Sequence, residues 1–529
     1  MMLVIQNLTY IHPDKDLLFK NINLTINCRN KVALIGNNGT GKSTLLKIIA
    51  GIFKPSGGCV YTDDLPYYVP QIFGQYNHLT VAQALQIETK LQALKEITDG
   101  NMTETNIATL NDDWTVEERS IEALKLWNLE NLKWSQKIET LSGGQKTGIF
   151  LAGISIHQPK LVLLDEPSNH LDASARQRLY DFIQSASSAL LAVSHDRKLL
   201  NLLDSVCELS KHGIRVYGGN YDFYEEQKMI ENQALQQNIK HREKELQKAR
   251  EKERETLERQ QKLNARGKKQ QKKEGMPKAM MNKMKNDAEK SMSRLKDAHA
   301  EKRNALSQTL SELKKEMPDI DKMKLDFNNS ALHKGKILVC AYNINFGYGN
   351  KPLWNEALNF QLASGERIAL KGSNGSGKTT LIKIILGEIE PLSGKIYRNI
   401  RQQVYIDQDY SLINNRFTVY GQVQKFCLST LQEHEIKIRL NRFLFTGEDW
   451  EKSCEVLSGG EKMRLILCCL TLNRHSPDII ILDEPTNNLD IQNMEILINA
   501  INAYKGALIA VSHDEYFLKK INAEREICL

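Results

Sequence analysis

The feature that most limits how this chain can fold is a repeat. GNNGTGKST at residues 36–44 returns as GSNGSGKTT at 372–380, LSGGQ at 141–145 as LSGGE at 457–461, and LVLLDEPSNHLD from Leu161 as IIILDEPTNNLD from Ile479. The order is the same in both halves, and so is the spacing: Asp165 to His195 and Asp483 to His513 are both 30 positions, and Lys42 to Gln71 is 29 against 30 for Lys378 to Gln408. A chain of 529 residues exceeds one core, and a motif set occurring twice in register predicts one domain built twice. The interval from Gln71 to Ser142 is 71 positions but that from Gln408 to Ser458 only 50, so the first half carries 21 extra residues near 91–111, read as a longer surface loop.

Each motif has a physical reason. An apolar run, a glycine loop and a leucine- and isoleucine-rich stretch read as strand, phosphate-binding loop and helix, with backbone N–H groups and the helix N-terminus facing an anion. Lys42 and Lys378 are placed to meet terminal phosphates, and the hydroxyls of Ser43 and Thr379 suit Mg²⁺. LVLL and IIIL read as buried parallel strands ending in Asp-Glu. Asp165 and Asp483 can hold Mg²⁺ or its water, while Glu166 and Glu484 can polarise an attacking water. An isolated Asp-Glu is more often a solvated turn and a lone histidine more often structural; recurrence at one offset turns both readings, so His195 and His513 are expected at the γ-phosphate. Gln71 and Gln408 join the expected metal shell.

The middle of the chain differs in kind. Residues 225–267 and 286–318 are charged, polar and rich in helix formers, which predicts two long helices forming an antiparallel hairpin, the first reaching about 60 Å at ~1.5 Å per residue. Residues 240–305 hold 22 Lys and Arg against 11 Asp and Glu, while the whole chain carries only +7. Between the helices, where Gly267, Gly275 and Pro277 interrupt the pattern, residues 266–285 hold eight basic residues and one acid, Glu274. A basic tip on a long lever suits a deep polyanionic site. Lys268, Lys269, Lys272, Lys273, Lys278 and Lys283 are the expected contacts to such a polyanion.

With these motifs in hand, both halves resemble ATP-binding cassettes of the ABC superfamily: glycine loop, Q-loop, LSGGQ signature, Asp-Glu strand, D-loop at Asp172 or Asp490, and switch histidine. The resemblance implies an α/β fold of two P-loop ABC ATPase domains joined by a long α-helical hairpin linker, with residues 1–222 as the first domain, 223–335 as linker and 336–529 as the second. It implies a head-to-tail pair in which Ser142, Gly143 and Gly144 face the ATP on Lys378, and Ser458, Gly459 and Gly460 the ATP on Lys42. Gly36, Asn37, Asn38, Gly39, Thr40, Gly41 and Thr44, with Gly372, Ser373, Asn374, Gly375, Ser376, Gly377 and Thr380, would complete the ATP-binding loops. The family also places an aromatic ring on adenine: Tyr10 fits in the first half, and Phe346 and Tyr348 both stand near the place in the second. Gly148 where the second cassette has Arg464, and Glu461 where glutamine is usual, depart from the pattern.

Two whole cassettes and a helical linker resemble the ABC-F family over essentially the entire chain. That resemblance implies a ribosome-bound ATPase, with ATP and Mg²⁺ as ligands, whose linker reaches from the tRNA exit site toward P-site tRNA and ribosomal RNA near the peptidyl-transferase centre. Its task would be antibiotic ribosomal protection or relief of stalled translation. A transporter ATPase and a DNA-repair ATPase are the alternatives. There is no run of about 18 apolar residues. The start MMLVIQNLTY lacks a leader pattern, and nine cysteines without a C-x-x-C pair suggest reduced thiols. A cytoplasmic monomer with intramolecular cassette pairing and no membrane partner is expected.

Overall fold

A computed structural model of the chain describes all residues except 13–16, 211–212, 275–277, 317–332, 334, 349–350, 427–431, 473–475 and 488. Within the two long helices it leaves out the side chains of 260, 264, 267–274, 278–285, 288–289, 295 and 315–316. The chain forms two compact units, residues 1–224 with 323–529, and residues 225–322.

The first unit holds both cassettes. In the first, six strands lie in the order Tyr67–Val69, Leu161–Asp165, Ala189–Val193, Lys31–Ile35, Ser205–Ser210, Gly213–Tyr217. The first five are parallel and the last is antiparallel. The second repeats the five parallel strands: Gln403–Ile406, Ile479–Asp483, Ala507–Val511, Arg367–Lys371, Arg525–Cys528. Leu161–Asp165 and Ile479–Asp483 are buried at every position, as apolar runs covered on both faces must be. Each fully buried Leu or Ile there contributes about 1.5–3 kcal/mol. A three-stranded antiparallel sheet completes each cassette, with Leu3–Ile11 or Ile337–Asn345 at its centre.

Parallel strands need long crossovers, so the chain leaves every core strand at the same edge of the sheet. In the first cassette that edge receives Gly36, Gln71, Glu166 and His195; in the second it receives Gly372, Gln408, Glu484 and His513. The crevice beyond the carboxyl ends of parallel strands is where open α/β sheets bind ligands.

The 21 additional residues are not a loop. Glu88–Thr98 and Glu104–Leu110 are two packed helices. Thr103 caps the second, accepting from the N–H of Asn106 (3.2 Å). Asp113 binds Lys90 (2.8 Å) and Arg119 (2.9 Å), tying the insertion to the helix Val116–Lys125. Ala93, Ile97 and Leu110 enter the cassette core, which a free loop would not allow.

The second unit consists of helices. Tyr221–Glu274, which begins in the first unit, and Lys278–Glu316 run as two helices of 54 and 39 residues. The first continues through Gly267, where the sequence suggested a break; one glycine costs only about 1 kcal/mol in a helix. Ile239, Leu246 and Leu310 form a small apolar seam. Lys314 pairs with Glu243 (2.6 Å) and Arg303 with Glu253 (3.5 Å), the descending order that an antiparallel hairpin requires. The six lysines expected to touch RNA have side chains outside the described residues.

Candidate active sites

Both glycine loops end on a residue only glycine adopts easily. Gly41 (φ 93°) and Gly377 (φ 94°) cap the helices Lys42–Ile49 and Lys378–Leu386 in the left-handed region, which turns the first free N–H groups of each helix toward the loop. Lys42 Nζ donates to the carbonyls of Gly36 (2.7 Å) and Asn37 (3.2 Å), and Lys378 Nζ to those of Gly372 (2.8 Å) and Ser373 (3.0 Å). Burial lowers the pKa of both ammonium groups, against the opposing pull of Glu166 and Glu484.

Beside each loop stand a hydroxyl and a carboxylate. Ser43 Oγ donates to Asp165 Oδ1 at 3.0 Å, and Thr379 is hydrogen-bonded to Asp483. Both carboxyls are raised in pKa by burial, partly offset by these bonds. The sequence reading missed a second partner for each: Tyr68 OH donates to Asp165 Oδ2 (3.1 Å) and Tyr405 OH to Asp483 Oδ2 (2.9 Å). Both tyrosines stand three positions before the Q-loop glutamine, a coincidence the repeat itself carried. Gln408 lies at the cleft described below; Gln71 is half-buried just beyond its strand, and neither is bonded to the neighbouring aspartate.

Glu166 and Glu484 sit in the left-handed region, φ 50° and 49°, a conformation uncommon for residues other than glycine. Each is held there by its N–H, which donates to the carbonyl of Val193 or Val511 (both 2.9 Å). The same strain at the same place in both cassettes points to function rather than accident. Burial raises both carboxyls, Glu484 to about 7. His195 Nε2 lies 3.3 Å from Glu166 Oε1 and His513 Nε2 3.5 Å from Glu484 Oε1. Burial depresses both imidazoles, His513 to about 4, so each histidine is neutral near pH 7.

The signature turns start helices. Ser142 caps Gly143–His157, and its box is closed by Gln145: Gln145 N–H to Ser142 Oγ (3.3 Å), Ser142 N–H to Gln145 Oε1 (2.9 Å). Ser458 and Glu461 make the same pair (3.3 and 2.8 Å), so glutamate replaces glutamine there without loss of the cap. Gly148 is also explained: a Cβ there would meet Leu129 Cδ1 at 2.9 Å, whereas Arg464 lies over the Phe445 ring at 5.4 Å.

The cassettes meet head to tail. Ser142, Gly143 and Gly144 of the first line a cleft of about 200 Å³ together with Gln408, Glu484 and His513 of the second. Asn374 Nδ2 donates to the carbonyl of His170 (3.3 Å), beside Gly144. On the other side, the N–H of Asn38 donates to Asp490 Oδ2 (2.8 Å). Arg197, two residues beyond His195, bonds Glu495 and lies 3.8 Å over the Tyr516 ring. Tyr10 stacks parallel to Phe53 at 6.3 Å. Phe346 packs on the second core, while Tyr348 is exposed and its hydroxyl lies 3.1 Å from Thr380 Oγ1. Among the described residues no helix is long and apolar enough to cross a membrane.

The ABC transporter family model matches residues 19–169 and again 356–487. YdiF of Bacillus subtilis is 31% identical over 96% of this chain and 77% of its own. ABC transporter F family member 5 of Arabidopsis thaliana is 28% identical over 95% of this chain and 72% of its own. The crystal structure of an archaeal ribosome recycling factor, aABCE1, in complex with stalk protein aP1 shares the fold, with a TM-score of 0.59 and 20% identity over 99% of this chain and 87% of that one. The twofold match and the similarity to the curated relatives over nearly the full chain show that it belongs to the ABC transporter family, with the ATP-binding cassette present twice and relatives of the F-family type.

Proposed function

We propose that this ATPase binds two ATP molecules between its cassettes and couples their hydrolysis to work on the ribosome. The observation that carries the reading is the cleft in which the Ser142, Gly143 and Gly144 turn of one cassette meets Glu484 and His513 of the other. A helix N-terminus offers unpaired N–H donors to phosphate, so each ATP joins the glycine loop of one half to the signature of the other.

In each site the chain's own residues divide the work. Lys42 or Lys378 turns from its loop carbonyls to the terminal phosphates. Glu166 or Glu484 accepts a proton from the attacking water, and neutral His195 or His513 donates from Nε2 toward the γ-phosphate. Ser43 with Asp165, and Thr379 with Asp483, would hold Mg²⁺, with Gln71 and Gln408 as further oxygen donors. Their hydroxyl and carboxylate oxygens, already side by side, are the hard donors that ion prefers, and one carboxylate per site is its usual complement beside phosphates. When bound, Mg²⁺ would neutralise charge on the β- and γ-phosphate oxygens. Tyr10 and the exposed Tyr348 would stack on adenine, with Phe346 supporting Tyr348 edge-on at 5.3 Å.

Ribosome binding is supported by the basic tip between the long helices, by relatives of the F-family type and by the archaeal neighbour named for ribosome recycling. The arm, residues 223–335, would reach from the tRNA exit site toward P-site tRNA and the peptidyl-transferase region, with Lys268, Lys269, Lys272, Lys273, Lys278 and Lys283 on RNA. The outcome would be displacement of a bound drug or relief of a stall, in the cytoplasm, by a monomer. Expression in a drug-sensitive strain challenged with macrolides, lincosamides, pleuromutilins and phenicols separates the two: a raised inhibitory concentration supports protection, and no shift for any class leaves relief of stalling.

A further inference from the structure

The two sites are not equivalent in what they receive from the opposite cassette. After Asp172 the helix Ala173–Ser185 carries Arg176, only 8% exposed. At the same distance after Asp490 the helix Ile491–Ala503 carries Met494, also buried. Arg176 belongs to the first cassette but lines the cleft that holds Glu484 and His513 of the second. Its Nε donates to the carbonyl of Leu171 (3.1 Å), which fixes the guanidinium plane. Among the described residues its two terminal nitrogens have no hydrogen-bond partner. Facing it, Glu484 has His513 Nε2 3.5 Å from its Oε1 as its near side-chain neighbour, and neither carboxylate oxygen is in a well-formed side-chain hydrogen bond. Arg176 and Glu484 thus bring a cation from one cassette and a carboxylate from the other to one cleft, where charge is weakly screened. Among the leading charges acting on Glu484, Arg176 comes ahead of Lys378, whereas Lys42 of its own cassette is the leading cation on Glu166.

We propose that Arg176 is a catalytic residue supplied in trans to the site of Lys378 and Glu484, its guanidinium meeting the terminal phosphate of the ATP bound there, and that the site of Lys42 and Glu166 works without one. The inference rests on the two-site reading above. As water oxygen bonds to the γ-phosphorus and the bridging bond to ADP breaks, the water proton passes to Glu484 and negative charge gathers on the phosphoryl oxygens. A guanidinium fork pairs with such oxygens bidentately, in a cleft where charge is poorly screened. Methionine in the matching place offers only packing, so the two sites hydrolyse at different rates.

The test is single-turnover hydrolysis of Mg-ATP by the full chain in two backgrounds, Glu166→Gln, in which only the second site turns over, and Glu484→Gln, in which only the first does. Arg176→Gln keeps an N–H donor for Leu171 but removes the charge; Arg176→Lys keeps the charge. In the Glu166→Gln background Arg176→Gln should lower the rate on the order of 10²-fold, with Arg176→Lys recovering part of it. In the Glu484→Gln background the change should stay within about twofold. Equal slowing in both backgrounds, or no slowing in the first, overturns the role of Arg176. Loss of all hydrolysis in Glu166→Gln with Arg176 intact overturns the two-site reading itself, and this inference with it.

Discussion

The carboxylate of Asp490 holds two elements at once. Oδ1 accepts from the N–H of Asn493 (2.8 Å) and so caps its own helix, while Oδ2 accepts from the N–H of Asn38 (2.8 Å) in the glycine loop of the other cassette. Asp172 caps the equivalent helix through Ala175 (2.9 Å), but the second glycine loop is reached through the carbonyl of His170, on Asn374. A helix cap of one cassette and the glycine loop of the other thus share one carboxylate.

That arrangement separates two effects. Asp490→Asn keeps the capping oxygen but turns an N–H₂ group toward Asn38, so the melting temperature should stay within about 3 °C while steady-state hydrolysis falls about tenfold, the cost of a charge-assisted hydrogen bond. Asp490→Ala removes the cap as well and should lower stability by a further ~1 kcal/mol. Thermal melts and ATPase rates on both variants check this; equal hydrolysis in Asp490→Asn and the parent would show the Asn38 contact to be incidental.

Burial of Glu484 has a consequence for stability that nucleotide-free melts can read. Its pKa rises from 4.5 unfolded to about 7 folded, so the folded state keeps a proton the unfolded state has lost. Stability from this group is therefore full below pH ~4.5 and is lost as pH rises through about 7, by about 3 kcal/mol in all. Glu484→Gln, which cannot ionise, should melt above the parent at pH 8 and converge with it near pH 5. A difference that does not change between those pH values contradicts the assignment.

Gly148 is a packing residue. Gly148→Arg, which copies the second cassette, must displace Leu129 and Trp127 and bury a charge, and should destabilise by at least about 1–3 kcal/mol. Arg464→Ala, which gives up a contact with Phe445, should cost only about 0.5–1 kcal/mol. Denaturant midpoints of the two variants settle the order.

The residues that stand together at the carboxyl edge of each sheet were legible as a pattern before any fold was known. Strand, glycine loop and helix are dictated by short-range pattern, and the recurrence of Glu166 and His195 as Glu484 and His513 exposed positions that no single motif would have secured. What escaped depends on distant packing. Tyr68 and Tyr405 acquire their partners only when the sheet brings them to Asp165 and Asp483. Arg176 gains significance only when the fold brings it to one cleft with Glu484 and His513. The insertion read as a loop because its polar face outweighs Ala93, Ile97 and Leu110, the three residues that anchor it. Gly267 read as a break because a glycine marks one in short helices, not in one of 54 residues.

The double variant Glu166→Gln with Glu484→Gln should bind ATP, fail to turn it over and co-sediment with ribosomes more strongly than the parent. Retention no greater than the parent's contradicts a link between closure and ribosome binding.

The most direct measurement is a structure of that double variant on the ribosome with Mg-ATP. The account predicts N–H groups of the Gly143 and Gly144 turn within about 3 Å of the γ-phosphate oxygens above Lys378, and those of Gly459 and Gly460 equally placed above Lys42. Nucleotides bound to the glycine loops with both signature turns well beyond hydrogen-bonding distance would contradict it.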